Sequence, residues 1–267
     1  MDYDYQILTP GGNDTALVFA AEKNLKRRRL ICQTIMLRNP AVEQVGFFSW
    51  EGKIPRLLMA GGEFCGNAAR AVAWYVLGGK PGTISLKVSG NVGLIKGGVT
   101  ESGEAWVEMP VVDDIEHIKR IEPDCFLVDM RGIVHIVVLL PQNARFDMSD
   151  EMLKRETQRL LAAHHLLGSP ATGVVFTKNL HGRLQIYPCV RVAAVGTLIC
   201  ETACGSGTMA VGLVDSLLKN ADTDITIFQP SGQTIRAVVK RDGKKIAFAR
   251  ILGKVTGNGK IFTVKTS

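Results

Sequence analysis

The sequence lacks several features that mark common classes of protein. Aromatic residues make up only 6% of its 267 residues, and no apolar run approaches the length of a membrane span. It contains no Gly-x-Gly-x-x-Gly fingerprint, no P-loop motif and no Cys-x-x-Cys pair, and its five histidines are scattered. These absences argue against a membrane-spanning protein, against the usual nucleotide sites, and against a zinc site built on paired cysteines.

The marks of a secreted protein are also missing. The amino terminus reads MDYDY, without the basic and apolar segments of a secretory signal, and the six cysteines lack the dense spacing of a disulfide scaffold. We therefore expect free thiols and a cytoplasmic location. We expect neither a metal ion nor an organic cofactor.

Positive charge is in excess, with a net charge of +7. Residues 26–29 read KRRR within a predicted helix, but no aromatic stacking platform or nucleic-acid motif accompanies them. We interpret this segment as a solvated helix face and expect neither a nucleic acid nor a membrane as a partner. A basic enzyme that binds a small anionic molecule accounts for the same charge.

The most informative pattern is a short phrase that occurs twice. Residues 64–72 read FCGNAARAV, and residues 203–211 read ACGSGTMAV. Each phrase is typical of a loop that opens into a helix, with small residues that let the backbone approach a ligand. A thiol at that position meets the positive end of a helix and its free amides, which lower a cysteine pKa and bind anions. Cys65 and Cys204 are therefore the candidate reactive thiols.

The repetition extends beyond the two phrases. In both copies a predicted strand and a Ser-Gly pair follow at a similar distance, at residues 89–90 and 231–232. We predict two homologous domains, residues 1–112 and 113–255, each a sheet around a central helix, and we expect a final strand near 256–267 to pack with the first domain. A ligand would lie in the cleft between them. The predicted helices cover 23–38, 67–77, 150–167 and 206–219, and the predicted strands cover 6–8, 15–19, 44–50, 56–59, 83–88, 106–109, 133–140, 173–177, 184–189, 224–228, 234–240 and 245–252.

Two opposed thiols suit one kind of reaction. A thiolate on one face of an amino acid can remove the α-proton while a thiol on the other face delivers one, so the stereocentre inverts. Helix N-termini and exclusion of water would stabilise the charge that grows on the carboxylate. The alternatives are two small buried residues at helix starts, or a disulfide between them; the matching repeat positions argue against the first and a reducing compartment against the second.

Several phrases resemble one family, the cofactor-independent amino-acid racemases and epimerases of the diaminopimelate epimerase fold. The resemblance covers most of the chain and rests on both cysteine phrases, on His135, and on GND at 12–14, EQVGF at 43–47, VSG at 88–90 and QPSG at 229–232. It implies an α+β fold of two pseudo-symmetric domains, each a curved, mostly antiparallel sheet or barrel around a central helix. It implies Cys65 and Cys204 as the two bases, with carboxylate-binding amides at Gly66, Asn67, Gly205 and Ser206.

Within that family the sequence departs from diaminopimelate epimerase itself. Val195 and Gly196 stand where that enzyme has a Glu-Arg pair, whose arginine helps hold the distal carboxylate of its substrate. Residues 62–68 read GEFCGNA and residues 198–208 read LICETACGSGT, which look more like the histidine racemases that supply D-histidine to staphylopine-type metallophores. The resemblance therefore implies racemisation of a free amino acid, histidine first, with diaminopimelate or another basic amino acid as alternatives.

Four polar side chains are further candidates for substrate contact. Glu43 lies between apolar segments and Glu201 stands three residues before Cys204, where each could receive an ammonium group or a basic side chain. Otherwise each of them caps a turn or faces solvent. Asn13 and Gln44, which belong to the phrases that carry the resemblance, complete the predicted substrate contacts.

The remaining candidates receive structural interpretations. His135 lies between apolar residues of a predicted strand, so we expect a hydrogen-bonded structural histidine rather than a third base. The other cysteines are expected to be passive, namely Cys32, Cys125, Cys189 and Cys200.

Other functions stay open at this point. An isomerase of the same fold could use a carboxylate base, and a non-enzymatic module could bind a small molecule in the cleft without turnover. The sequence leaves the oligomeric state undetermined, and a homodimer is one of the states we consider.

Overall fold

The protein is rich in sheet and has few helices. The computed structural model describes residues 2–142 and 148–265. Its helices are α1 (Leu25–Arg38), α2 (Gly66–Val76), α3 (Asp150–Ala163) and α4 (Gly205–Lys219). Its strands are β1 (Asp2–Pro10), β2 (Asp14–Phe19), β3 (Val42–Glu51), β4 (Ile54–Met59), β5 (Gly82–Val88), β6 (Leu94–Val99), β7 (Ala105–Glu108), β8 (Lys119–Glu122), β9 (Cys125–Met130), β10 (Ile133–Leu139), β11 (Ala171–Leu180), β12 (Arg183–Val192), β13 (Thr197–Cys200), β14 (Thr223–Phe228), β15 (Thr234–Asp242), β16 (Lys245–Gly253) and β17 (Val255–Lys265). The predicted α+β class is confirmed.

One order of strand pairing occurs twice along the chain. In the first half, β1–β2 is antiparallel, β2–β3 parallel, β3–β4 antiparallel, β4–β5 parallel, and β5–β6–β7 antiparallel. In the second half, β9–β10, β10–β11, β11–β12, β12–β14 and β14–β15–β16 follow the same series, with β13 inserted beside β12. The helices α1 and α3 occupy matching connections, and so do α2 and α4.

Two strand pairings join the halves. Strand β7 pairs antiparallel with β16, where Val107 lies opposite Ile251. The last strand, β17, pairs antiparallel with β1 over almost its whole length. The strand that we expected near 256–267 thus begins at Val255 and lies beside the first strand, and its last two predicted positions, 266 and 267, fall outside the described residues.

The helices α2 and α4 pass through the centre of the molecule. Every residue of α2 from Gly66 to Ala73 is buried, and so is every residue of α4 from Gly205 to Val214. A helix surrounded by strands on all sides favours small and apolar side chains, which explains most of the composition of both cysteine phrases; the buried Arg70 is an exception and donates to Asn67. One continuous apolar core includes residues from both halves and reaches both cysteines.

Some elements differ from the sequence-based expectation. The predicted helix 150–167 ends at Ala163, because His165 adopts a left-handed conformation with φ of 58°. Strand β6 was not predicted, since Gly97 and Gly98 interrupt its apolar pattern. A Cβ atom at Gly98 would lie 2.2 Å from the Gly82 carbonyl oxygen, so glycine is required for the close approach to β5.

Candidate functional site

Cys65 and Cys204 occupy the same position in two helices. Each is the residue that caps the helix N-terminus, with φ and ψ of −130° and 112° at Cys65 and of −132° and 109° at Cys204. Each sulfur accepts a hydrogen bond from the third amide of its own helix, Ala68 N at 3.4 Å and Gly207 N at 3.2 Å. The two thiols therefore sit at equivalent helix N-termini.

The two helix starts meet at the centre of the molecule. A Cβ atom at Gly66 would lie 2.8 Å from Ile251 Cδ1, and one at Gly205 would lie 2.7 Å from the same atom. A Cβ atom at Gly205 would also lie 3.2 Å from the Asn67 amide nitrogen. Glycine after each cysteine is thus what allows both helix ends to converge on one point.

Both cysteines line one cavity. Its volume is about 50 Å³, which is enough for a few water molecules. Its lining includes Gly66, Gly205 and Ser206 at the helix starts. The other lining residues are Cys32, Met36, Glu43, Gln44, Val45, Ala60, Glu63, Phe64, Ile133, Val190, Val192, Val195, Thr197, Ile199 and Glu201. The thiols and the predicted carboxylate-binding segments therefore share one space.

A chain of hydrogen bonds runs from Cys65 toward Cys204. The Gln44 amide nitrogen donates to Glu201 Oε1 at 2.8 Å, which turns the amide oxygen of Gln44 toward Cys65, and Cys65 Sγ lies 3.0 Å from that oxygen. Because an amide oxygen only accepts, the Cys65 thiol donates to it. Glu201 also lies close enough to both cysteines to disfavour their thiolates.

Cys204 has a different set of polar neighbours. Its sulfur lies 3.5 Å from Ser206 Oγ, and that hydroxyl lies 2.9 Å from Nε2 of His135. His135 is fully buried, and burial lowers its pKa to about 3, so its ring is neutral. The Cys204 backbone amide donates to Gln229 Oε1 at 3.0 Å. His135 thus contacts the serine and is one residue removed from the thiol, in the hydrogen-bonded role that we expected.

Asn13 and Asn67 lie outside the lining of the cavity. Both donate from Nδ2 to the Ala203 carbonyl oxygen, at 3.1 and 2.8 Å. They fix the backbone immediately before Cys204, and Asn67 Oδ1 in turn accepts from the buried Arg70. The side chains of both asparagines therefore hold the second cysteine loop against the first half of the chain.

Glu43 lies in the cavity wall, but its oxygens are engaged. Both accept from the Thr202 backbone amide at 3.0 Å, and Oε2 also accepts from Asn13. Burial raises the pKa of Glu43 to about 7, against the lowering effect of the Thr202 bonds. The contact ties β3 to the loop that carries Glu201 and Cys204.

Burial dominates the electrostatics of the site. It raises the pKa of both Cys65 and Cys204, the Glu201 carboxyl adds to the rise, and the helix amides oppose it. Burial also raises the pKa of Glu201 to about 8. The expectation that the helix N-termini would give low cysteine pKa values is therefore wrong in direction, because loss of hydration outweighs the amide bonds.

Sequence reasoning missed Glu63. Its carboxyl lines the cavity, and its Oε2 is buried without a hydrogen-bond partner in the described part of the chain. The available signal was a charged residue two positions before Cys65, inside an otherwise small and apolar phrase.

Cys32, expected to be passive, also lines the cavity, whereas Cys189 and Cys200 face one another across β12 and β13 with sulfurs 2.8 Å apart.

Residues 2–142 and 148–265 lack two features that mark other classes of protein. They contain no group of three or more histidine, cysteine or acidic residues arranged to hold a metal ion. They also contain no helix that is long and apolar enough to cross a membrane.

Solved structures of similar fold support the α+β assignment. A hydroxyproline epimerase from Agrobacterium vitis matches with a TM-score of 0.66 at 12% identity, covering 98% of this chain and 92% of that one. The PhzF-family phenazine biosynthesis protein of Bacillus anthracis also matches with a TM-score of 0.66 at 12% identity, covering the whole of both chains. At such low identity these matches establish the fold alone.

Sequence comparison identifies the family. The family model described as the histidine racemase CntK N-terminal domain matches residues 3–262. A histidine racemase from Fusobacterium nucleatum is 30% identical over 240 residues, 86% of each chain, and one from Staphylococcus aureus is 24% identical over 247 residues, 87% of each chain. The predicted resemblance is confirmed: this chain is an isomerase that belongs to the histidine racemase family.

Proposed function

We propose that this protein interconverts L- and D-histidine without a cofactor, with Cys65 and Cys204 as the two acid–base groups. The observation that carries the proposal is the pair of thiols, which cap equivalent helices and line the same cavity. The relatives named as histidine racemases support the substrate.

The two thiols divide the proton transfers between them. In one direction the thiolate of one cysteine removes the α-proton, and the thiol of the other delivers its own proton to the opposite face of the planar carbanion. The enzyme ends the turnover with the roles of its sulfurs exchanged, so no net proton is gained or lost. A raised pKa makes each thiolate a stronger base for this weak carbon acid, at the cost of a smaller ionised fraction.

The helix starts are suited to the substrate carboxylate. Each cysteine sulfur takes the third amide of its helix, so the first two amides are those that an anion can reach, Gly66 and Asn67 in α2 and Gly205 and Ser206 in α4. Negative charge that develops on the carboxylate as the proton leaves is stabilised by both helix ends. Their convergence on Ile251 lets one carboxylate reach both.

The acidic residues support a substrate that carries positive charge. Glu201 interacts with the Cys204 thiol, and its buried Oε2 has no other hydrogen-bond partner among the described residues, so it can receive the substrate ammonium. Among the described residues that line the cavity, none is lysine or arginine, so a distal carboxylate would lack a cation. This disfavours diaminopimelate and leaves the racemisation of lysine or arginine as the second candidate.

We also propose the finer features of the fold and setting. The repeated pairing order supports a diaminopimelate epimerase type of fold, with domains at 1–112 and 113–255 and the last strand in the first domain. The six cysteines are free thiols, which supports a reducing cytoplasm. A homodimer, and the absence of nucleic-acid and membrane partners, remain predictions from the sequence.

The test is turnover of free amino acids by the purified protein. We expect L-histidine to be converted to D-histidine, with the reverse reaction from D-histidine, as measured by chiral chromatography. Lysine, arginine and diaminopimelate form the comparison panel. Conversion of a panel member with a kcat/KM above that of histidine would overturn the substrate assignment, and absence of turnover with all of them would overturn the enzymatic proposal.

A further inference from the structure

The cavity has two chemically different ends. The end described above holds the thiols, Glu201 and the helix amides. The far end lies between α1 and the β12–β13 hairpin, and it is walled by apolar side chains, namely Cys32, Met36, Val45, Ala60, Val192 and Val195. Apart from Glu63 and Thr197 of the hairpin, the side chains at this end are apolar and suit a ring.

The Glu63 carboxyl is turned into the protein by its neighbours. A Cβ atom at Gly61 would lie 2.5 Å from Glu63 Oε2 and 2.5 Å from Val192 Cγ1, so the glycine makes room for the carboxyl against the hairpin. Glu63 Oε2 is buried, and no donor within the described segments reaches it. A buried acceptor without a partner costs free energy that a bound N–H group would recover.

Burial raises the pKa of Glu63 overall, which disfavours its charged form, but nearby donors offset part of this effect. The main-chain amides of Glu63 and Gly61 and the Arg28 guanidinium lower the pKa. Arg28, itself buried in α1, donates hydrogen bonds to the carbonyl oxygens of Ala60, Glu22 and Lys23. The charge of Arg28 therefore stabilises a charged Glu63 carboxyl from a distance, while Glu63 Oε2 stays available as an acceptor.

The other two acidic residues of the cavity are committed elsewhere. Glu43 accepts bonds from Thr202 and Asn13, whereas Glu201 accepts from Gln44 with Oε1 and keeps Oε2 for the substrate ammonium beside the reacting sulfurs. We propose that Glu63 determines the substrate side chain, by accepting the ring N–H of histidine while the walls of the far end enclose the ring. This inference rests on the proposed racemase function and names the residue that selects the substrate within it.

Glu63→Gln tests the inference with little change of volume. The contact is made equally in the ground state and the transition state, so we expect KM for histidine to rise by about 10-fold or more with kcat within about 3-fold. For 2-thienylalanine, a ring of similar shape without an N–H donor, we expect kcat/KM to change by less than about 2-fold. The selectivity for histidine over thienylalanine should therefore fall as KM for histidine rises.

Two more variants separate recognition from folding. Glu22→Gln is the matched control, because Glu22 is also close to Arg28 but does not line the cavity. The KM of this variant for histidine should stay within about 2-fold of wild type. Gly61→Ala displaces the Glu63 carboxyl without removing its charge and should raise KM for histidine in the same direction. It also tests the inference if Glu63→Gln does not fold.

The outcomes distinguish this inference from the proposed function. Wild-type protein that does not racemise histidine would refute the function itself. If wild type racemises histidine and folded Glu63→Gln keeps its KM within 2-fold, the assignment of Glu63 is wrong while the racemase proposal stands. Equal losses with histidine and thienylalanine would likewise contradict it, since they would indicate a general structural role.

Discussion

The two cysteine loops have the same backbone conformation and differ in the groups that surround the sulfur. Their capping angles agree within a few degrees, and each sulfur takes the third amide of its helix. Beyond that, Cys65 donates to an amide oxygen held by Glu201, whereas Cys204 lies beside a hydroxyl that contacts a neutral buried histidine. Repetition therefore accounts for the position of the thiols, and the divergent neighbours give them unequal preferences for the proton.

The difference lies in which protonation form each sulfur's neighbour favours. The Gln44 oxygen can only accept, so it favours the thiol form at Cys65. The Ser206 hydroxyl can donate to a thiolate at Cys204 and can donate to His135 instead when that sulfur is protonated. Burial and Glu201 raise the pKa of both sulfurs, and at Cys204 the Ser206 hydroxyl opposes part of that rise.

Serine at either cysteine removes one of the two acid–base groups and should have the largest effect. A hydroxyl is a far weaker acid than a thiol, so Cys65→Ser and Cys204→Ser should each lower kcat for racemisation by about 1,000-fold or more. Steady-state conversion of L-histidine measures this. A variant that keeps a tenth of wild-type activity would show that its sulfur is dispensable and would break the equivalence of the two loops.

Removing the carboxylate charge beside both sulfurs should have an intermediate effect. The negative charge of Glu201 raises the pKa of each thiol, so Glu201→Gln should move the alkaline rise of kcat/KM to lower pH. Loss of the ammonium contact should also lower kcat/KM by roughly 10- to 100-fold above pH 8, where the Glu201 carboxyl is ionised. An unchanged pH profile would exclude this electrostatic coupling.

Disturbing the serine–histidine contact should affect only the Cys204 side and by less. We expect His135→Phe to lower kcat by roughly 3- to 10-fold, and His135→Gln, which retains a polar partner for Ser206, to recover part of the loss. A positioning role predicts this recovery. Equal activity of the two variants would contradict it.

The same histidine has a predicted signature in stability. Its pKa is about 3 when folded and about 6.5 when unfolded, so the unfolded state binds more protons between these values. Its contribution to the free energy of unfolding is thus present above pH 6.5 and is lost as the pH falls toward 3, by about 1.4 kcal/mol per pH unit. Denaturant titrations at pH 7 and pH 5 should show a smaller decrease for a folded His135→Gln variant than for wild type.

The smallest effect is expected at Cys200, one position before Glu201. Its sulfur contacts Cys189 and the Asp150 carbonyl oxygen and does not line the cavity. Cys200→Ser should therefore keep kcat/KM within about 2-fold of wild type. This variant is the thiol control for Cys204→Ser, and a loss comparable to that variant would contradict the assignment of roles.

The features that the sequence could reveal are local ones. The predicted helix starts at 67 and 206 lie one residue from the observed starts, because capping and small-residue packing depend on neighbouring positions. The hydrogen bond between Gln44 and Glu201 joins positions 157 residues apart, and no local pattern specifies it. The cysteine pKa values were predicted in the wrong direction for the same reason, since burial depends on the whole fold.

The inward turn of Glu63 is a further example of this limit. In the sequence Glu63 is a single charged residue two positions before a cysteine, and its carboxyl turns into the cavity in the space left by Gly61 beside Val192 of β12. Asn13 and Asn67 show the opposite case. Their sequence motifs predicted contact with the substrate, but their side chains donate to the Ala203 carbonyl oxygen behind the site.

The most direct test of the two-thiol account is the isotope pattern at early times in deuterium oxide. If separate sulfurs act on the two faces, D-histidine formed from L-histidine will carry deuterium at Cα while the remaining L-histidine stays protiated. Mass spectrometry of the separated enantiomers reads this pattern. Deuterium appearing at the same rate in both enantiomers would indicate a single base and would contradict the central claim.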